Sequence, residues 1–243
     1  MLEIITSTDW FVVSSLFLVA FFVMALQLDL SVATFMSGHA LGRQTSQRRL
    51  RLMVDQFALG FVIMTWLVIS TTCLVLHFSL HDLIKTSWFW TIISGVILGQ
   101  GLLMTLLDFS KKTSPHPWLN QVMRQFLTKR ASKTRSPAEA FSLGLTSFLT
   151  QTPIVLLTFI VAGATLLVLP GQFLVPGTII FSLTLGVPLL MFRGYLRNNQ
   201  SGVGVQQFIV KNRRFFQIVR LICLLVLVLI ITSELSHLGV KNG

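Results

Sequence analysis

The 243-residue chain is 53% hydrophobic and only 11% charged, whereas soluble domains carry about 25% charged residues. Its apolar residues come in blocks of about 20, the length of helix that crosses roughly 30 Å of hydrocarbon. This composition excludes a water-soluble globule and predicts an all-α integral membrane protein. The formal net charge of +11 is explained by basic loops beside a membrane, so we expect no nucleic-acid partner.

Six apolar segments follow one another along the chain, and each predicts a transmembrane helix. They span about residues 10–36, 53–77, 87–108, 138–169, 171–192 and 215–233. Every Lys and Arg except Lys85 and Lys241 belongs to the first, third or fifth connecting region. Because basic loops stay in the cytoplasm, we predict six crossings of the cell membrane with both termini on the outer side.

The long third loop divides this single membrane domain into two three-helix halves. The halves are residues 1–109 and 138–243, and the basic stretch 110–137 joins them. An odd number of crossings in each half gives the second half the opposite orientation. We therefore predict an inverted repeat, an architecture that is common among transporters.

The third loop also contains a predicted amphipathic helix. Apolar side chains recur there at helical spacing, and basic side chains take the other faces. The apolar set is Trp118, Leu119, Val122, Met123 and Phe126. Such a helix lies on the inner leaflet, so we expect residues 117–135 to contact anionic lipid headgroups. An ordinary cytoplasmic connector is the alternative.

The fourth segment begins with a capping sequence. Ser136 suits the cap position, Pro137 the first helical position, and Glu139 stands three residues after the cap. Glu139 therefore has a structural role, and we assign it no chemistry.

Asp29 is the most informative polar residue, because it lies within the first apolar segment. A charge at depth costs about 2.5–3.5 kcal/mol on insertion scales and usually faces a cavity or a partner. Asp29 predicts a cation or proton site, with Gln27 and Ser31 as neutral oxygen ligands for a hard cation or metal ion. The alternative is a shorter helix, with Asp29 hydrated at the inner interface.

A second polar cluster, Thr150, Gln151, Thr152 and Pro153, lies near the middle of the fourth segment. Proline removes a backbone hydrogen bond, and the freed carbonyl can bind a ligand. The alternative is a kinked packing helix. In the third segment Gln100 follows Gly95 and Gly99, which predict a close approach of two backbones. We count Gln100 as a site candidate, with an interhelical amide bond as the alternative.

The remaining chemical groups indicate structural roles. Cys73 and Cys223 sit in apolar runs and predict packing residues. His77 and His81 suit the outer interface better than a metal site. Asp55 and Asp108 are expected to pair with Lys or Arg at cytoplasmic helix ends, or to join an inner gate. Common hydrolase, metalloprotease and nucleotide-binding motifs are absent from the sequence, so we expect neither an enzyme nor a cofactor.

One stretch, Asp55-Gln56-Phe57-Ala58-Leu59-Gly60-Phe61, is similar to the start of the second helix in the lysine-exporter superfamily, which includes cadmium-resistance exporters. The resemblance covers roughly residues 20–70 with the acidic residue Asp29. It implies a six-helix transporter fold. The chain departs from the family pattern at Gln27-Leu28 and at Gln151, where the family has an acid, so divalent metal as cargo does not follow.

We therefore expect a secondary transporter that exports a cation or small solute by alternating access between two halves. The alternative is a non-transporting accessory or immunity-type membrane protein that binds a partner in the bilayer. A homodimer is compatible with either function.

Overall fold

A computed structural model describes part of the chain. The described residues are 47–84, 86, 88, 89, 91, 92, 95, 99, 121–197, 218, 222, 225 and 229. Four helices lie in these ranges, α1 (Gln47–Ile84), α2 (Gln121–Lys133), α3 (Pro137–Val168) and α4 (Leu174–Arg197), and a 3-10 turn (Gly171–Phe173) joins α3 to α4. The described part is all helical apart from short turns, as predicted, and its helices cover the second, fourth and fifth apolar segments.

The helix α1 contains a stretch that is long and apolar enough to cross a membrane. This stretch, Arg48–Ser79, has 32 residues, and it is the one such stretch found among the described residues. Only 33% of its most apolar part is buried. The core helix of a soluble protein is mostly buried, whereas α1 has one buried face and one face of exposed apolar side chains.

The start of α3 confirms the predicted capping box. The Glu139 backbone N–H donates to Ser136 Oγ at 3.2 Å. In return, Glu139 Oε2 accepts from the backbone N–H of Arg135 at 2.6 Å and of Ser136 at 3.3 Å. These hydrogen bonds satisfy backbone N–H groups that precede the first turn of α3. Pro137 fills the first turn, where a missing N–H costs nothing.

α1 and α3 run parallel and touch through glycine. A Cβ atom added to Gly60 would overlap the carbonyl oxygen of Phe141, and one added to Gly144 would overlap that of Phe57. Near the other end of α1, a Cβ atom added to Gly163 would lie 3.0 Å from Leu76 Cδ1. Rising residue numbers in one helix thus meet rising numbers in the other.

α4 packs against α1 in the opposite direction. Asp55, early in α1, meets Arg193, late in α4. Trp66, further along α1, donates through Nε1 to Oγ1 of Thr178, which lies near the start of α4, at 3.3 Å. A Cβ atom added to Gly186 would lie 2.6 Å from a Val62 methyl group, so α1 and α4 are closely packed at this point.

Basic residues of these helices meet at one end, which we call the basic end: the start of α1, the turn before α3 and the last turns of α4. There Arg49 Nη2 donates to the carbonyl oxygen of Arg135 at 3.0 Å. At the far end, Phe89 of the third apolar segment packs with Leu76 and Ala164. The described contacts at the basic end therefore involve charged groups, and this cluster toward the other end is apolar.

The predicted close contact at Gly95 and Gly99 is not seen among the described residues. Both residues are helical and exposed, and an added Cβ atom would meet nothing within 4 Å. Helical spacing identified their shared face correctly, but that face points outward.

Candidate functional site

The polar cluster of residues 150–153 lies in the middle of α3. The helix continues through Pro153 from Pro137 to Val168. The side chains of Thr150, Gln151 and Thr152 lie outside the described set, so the site is built from the residues around them.

α3 is bent between Phe148 and Phe159. The second residue follows the first by 11 positions, which is about 16 Å along a straight helix. Their ring centroids are nevertheless 5.4 Å apart, closer than two phenylalanine side chains on a straight helix can come. Sharp helix bends occur mostly at proline, and Pro153 lies between the two residues. We therefore assign the bend to Pro153.

The two sides of the bend carry different groups. Phe148 and Phe159 lie on the inner side, and position 153 lies about 140° around the helix from Phe148. Proline frees the carbonyl four residues earlier, which is that of Leu149, a residue 48% exposed. A ligand bound to this carbonyl would contact the outer side of α3.

A row of four phenylalanine rings fills the inner side of the bend. Phe61 of α1 contacts Phe148 at 5.4 Å, and Phe159 contacts Phe181 of α4 at 5.5 Å, all edge to face. All four side chains are buried. The row joins three helices across the bend, and edge-to-face pairs contribute about 0.5–1.5 kcal/mol each beyond their area.

Several buried hydroxyl groups are satisfied within their own helices. Thr65 donates to Phe61 O at 2.8 Å, Thr165 to Ala162 O at 2.9 Å, and Ser182 to Thr178 O at 2.7 Å. A hydroxyl that donates to its own helix still has lone pairs to offer, but its proton is committed. The oxygens of these groups can therefore still coordinate a cation through a lone pair, but the hydroxyls cannot donate a further hydrogen bond to a ligand.

An ion pair closes the basic end between α1 and α4. Arg193 Nε lies 2.7 Å from Asp55 Oδ1, and the two side chains are 54% and 32% exposed. The prediction that Asp55 pairs with a Lys or Arg side chain is confirmed. The pair is partly hydrated, so it holds two helix ends together without the large desolvation cost of a buried pair.

The other predicted site residues lie outside the described part of the chain. They are Gln27, Asp29, Ser31 and Gln100, and the metal site proposed at Asp29 lies outside with them. Among the described residues, no group of three or more His, Cys, Asp or Glu could hold a metal ion. The structure thus locates residues 150–152 on α3 and leaves their meeting with Asp29 as a prediction.

Cys73 is a packing residue, as predicted. It is buried, and its Sγ lies 3.9 Å from the carbonyl oxygen of Gly163. His77 is exposed toward the far end of α1, beside the ring of Phe78. Cys223 lies outside the described residues.

Sequence reasoning missed Arg193 as the partner of Asp55, and it missed the phenylalanine row. The chain has 20 phenylalanines, so their abundance gives no signal for these four. Contact between Phe148 and Phe159 depends on a bend whose direction the sequence does not give.

No protein-family model, curated protein or solved structure matches this chain.

Proposed function

We propose that this protein is a six-helix secondary transporter that exports a cation or small solute. The observation that carries the proposal is the bend of α3 at residues 150–153. Transporters place substrate sites at interrupted helices, where backbone and side-chain oxygens become available. A polar cluster at a bend in an otherwise apolar helix fits that pattern.

The outward apolar surface supports a bilayer location. Large apolar side chains are exposed along the whole length of α1 and α4, among them Leu59, Leu67, Val75, Ile180 and Leu190. Soluble monomers rarely expose apolar patches larger than a few hundred Å². Four further exposed residues, Ile218, Ile222, Leu225 and Leu229, recur at helical spacing in the sixth apolar segment.

The directions of the helices support alternate crossings. α1 and α3 are parallel, so α1 ends far from the basic end where α3 begins. Its 38 residues span about 57 Å, and the connecting chain must return over that distance. A third transmembrane helix at 87–108 would cover about 33 Å of the return, and the chain that follows it would cover the rest. The shared basic end then faces the cytoplasm, as the positive-inside rule requires.

In the proposed mechanism Asp29 binds the cargo or a coupling proton. Gln27, Ser31, Gln100, Thr150, Gln151 and Thr152 supply neutral oxygen ligands near the bend. The ion pair of Asp55 and Arg193 closes the cytoplasmic side. The close crossing with α1 holds the part of α3 before the bend in a rigid unit, against which α4 and the rest of α3 can move in the proposed mechanism.

The resemblance to the lysine-exporter superfamily bears on packing as well as on transport. Phe57, Gly60 and Phe61 of the shared stretch lie at the crossing of α1 with α3. Close packing of two helices can by itself explain a small residue between large ones at this crossing. The resemblance therefore supports a shared helix arrangement and leaves the cargo open.

Neutralising Asp29 tests the transport proposal. Asp29→Asn should abolish efflux in cells or proteoliposomes screened with metal cations and amino acids, because a neutral amide neither carries a proton nor balances a cation. Asp9→Asn, just before the same apolar segment, is the matched control and should transport normally. Equal efflux by both variants, at equal amounts of folded protein, would refute the role of Asp29.

Labelling in sealed cells tests the topology separately. Single cysteines at residues 3 and 241, in a chain lacking Cys73 and Cys223, should both react with a membrane-impermeant maleimide added outside. A cysteine at residue 48, at the basic end, should react only after the membrane is permeabilised. Protection of either terminus would overturn the six-crossing arrangement.

The second function, an accessory protein that binds a partner in the bilayer, is favoured by the closed interior of the described helices. Phenylalanine rings and internally bonded hydroxyls fill it. This function predicts unchanged cargo handling in Asp29→Asn cells and co-purification of a stoichiometric membrane partner.

A further inference from the structure

The helix α2 presents a stripe that combines one aromatic ring with three cations. Phe126, Lys129, Arg130 and Lys133 stand at positions i, i+3, i+4 and i+7, which share one face of a helix. Phe126 is 47% exposed, and the Arg130 guanidinium lies 5.9 Å from the centre of its ring. We call these four residues the α2 stripe.

A second face of α2, about 100° around the helix from the α2 stripe, fixes its orientation. Leu127 and Ala131 are 2% and 1% exposed, and Thr134 just beyond the helix is 7% exposed. These residues bury one side of α2, and the α2 stripe lies beside that side with all four of its residues exposed. The predicted amphipathic helix is confirmed as a helix, but Leu127 and Ala131, which the sequence prediction did not include, form its buried side.

A short turn between α2 and α3 fixes the position of α2 at the end where α3 begins. The Thr134 hydroxyl and backbone N–H both donate to the carbonyl oxygen of Arg130, at 3.0 and 3.1 Å, and end the helix. α3 begins three residues later at Pro137, and Arg135 in the turn accepts a hydrogen bond from Arg49 of α1. α2 is therefore held at the basic end, beside the entry points of α1 and α3.

We propose that the α2 stripe binds anionic phospholipid headgroups of the inner leaflet. This inference rests on the proposed membrane location of α1 and α3, and it is independent of transport. Aromatic rings are enriched at the membrane interface, and basic residues near an anionic leaflet are attracted to it. An exposed aromatic ring surrounded by cations at the basic end matches a lipid headgroup layer better than it matches an acidic protein or RNA.

Paired lysine variants of the full-length protein test the proposal. Lys129→Gln/Lys133→Gln removes two cations of the α2 stripe and leaves Phe126 with Arg130. Lys85→Gln/Lys241→Gln removes the same number and kind of charges from the two lysines that sequence analysis assigns to the outer side. The probes are palmitoyl-oleoyl phosphatidylglycerol and phosphatidylcholine, added to protein in neutral detergent, with binding read by native mass spectrometry.

We expect about 30-fold weaker binding of phosphatidylglycerol by the Lys129/Lys133 variant, from the typical attraction of each basic residue to an anionic surface. The Lys85/Lys241 variant should bind it as the wild type does, and phosphatidylcholine should bind weakly to all three. Phe126→Ala should weaken phosphatidylglycerol binding as well, because the ring inserts between headgroups.

Equal phosphatidylglycerol binding by the two lysine variants would overturn the inference. So would an acidic protein or RNA that, in competition with the lipid, binds tightly and depends on Lys129 and Lys133. Failure of the wild type to enter phosphatidylcholine bilayers would instead refute the membrane location, which separates the two hypotheses. Normal transport by a variant that has lost lipid selectivity would leave the proposed function intact.

Discussion

The crossing of α1 with α3 and the bend of α3 are both closely packed, but by different means. At the crossing, glycine allows the two helix backbones to touch. Gly60 contacts the backbone carbonyl of Phe141, and Gly144 contacts that of Phe57. At the bend, the space is filled by the rings of Phe148 and Phe159. Rings can turn about their side-chain bonds, whereas a backbone contact has no such freedom. The crossing is therefore the fixed part of the described structure, and the bend is the part that can adjust.

The largest effect is expected from a methyl group at the crossing. Gly144→Ala places a carbon atom against the Phe57 carbonyl, which cannot turn aside, so the helices must separate. We expect the free energy of unfolding in detergent to fall by about 3 kcal/mol. Gly171→Ala is the matched control: an added Cβ atom there meets nothing within 4 Å, so we expect a change within about 0.5 kcal/mol. Equal stability of the two variants would contradict the contact.

Removing a ring from the bend should cost less. Phe159→Ala deletes contacts with Phe148 and Phe181, but a bilayer gives little hydrophobic gain for burial between helices. We expect a loss of about 2 kcal/mol, below the usual cost of Phe→Ala in soluble cores. Phe78→Ala removes a ring that is 78% exposed and should leave thermal unfolding nearly unchanged. A loss at Phe159 no larger than at Phe78 would show that the row does not stabilise the bend.

The smallest effect is expected at the ion pair of the basic end. Asp55→Asn should lower stability by less than about 1 kcal/mol, because partly exposed pairs contribute little. The charge exchange Asp55→Arg/Arg193→Asp should restore what is lost. A loss above about 2 kcal/mol, measured by thermal unfolding, would mean that the pair is buried and belongs to the fixed part of the structure.

The sequence predicted the local features of the fold correctly. Ser136, Pro137 and Glu139 located the start of α3 to within one residue, since a capping box depends only on neighbours in the chain. Apolar length predicted α1, α3 and α4. These features depend on short-range geometry and on composition, both of which a single sequence contains.

Relations between helices were not predictable in the same way. Gly95-Gly99 and Gly60 carry similar sequence signals, yet Gly60 lies at a crossing and Gly95 is exposed. Glycine permits a close approach of two helix backbones, but it does not determine which helix packs against it. Likewise, the sequence predicted a cationic partner for Asp55 but did not identify it as Arg193. Arg193 is distant in sequence, and it is near in space only because α4 runs antiparallel to α1.

The parallel course of α1 and α3 also sets an order of assembly. The chain from residue 85 to 136 must be synthesised before α3 exists, which takes several seconds at about 5–20 residues per second. During that interval α1 cannot pack against α3. Because the two helices are parallel, they also cannot form a helical hairpin. In the proposed bilayer location α1 must therefore insert and persist without α3, and its 32-residue apolar stretch is long enough to do so before that contact forms.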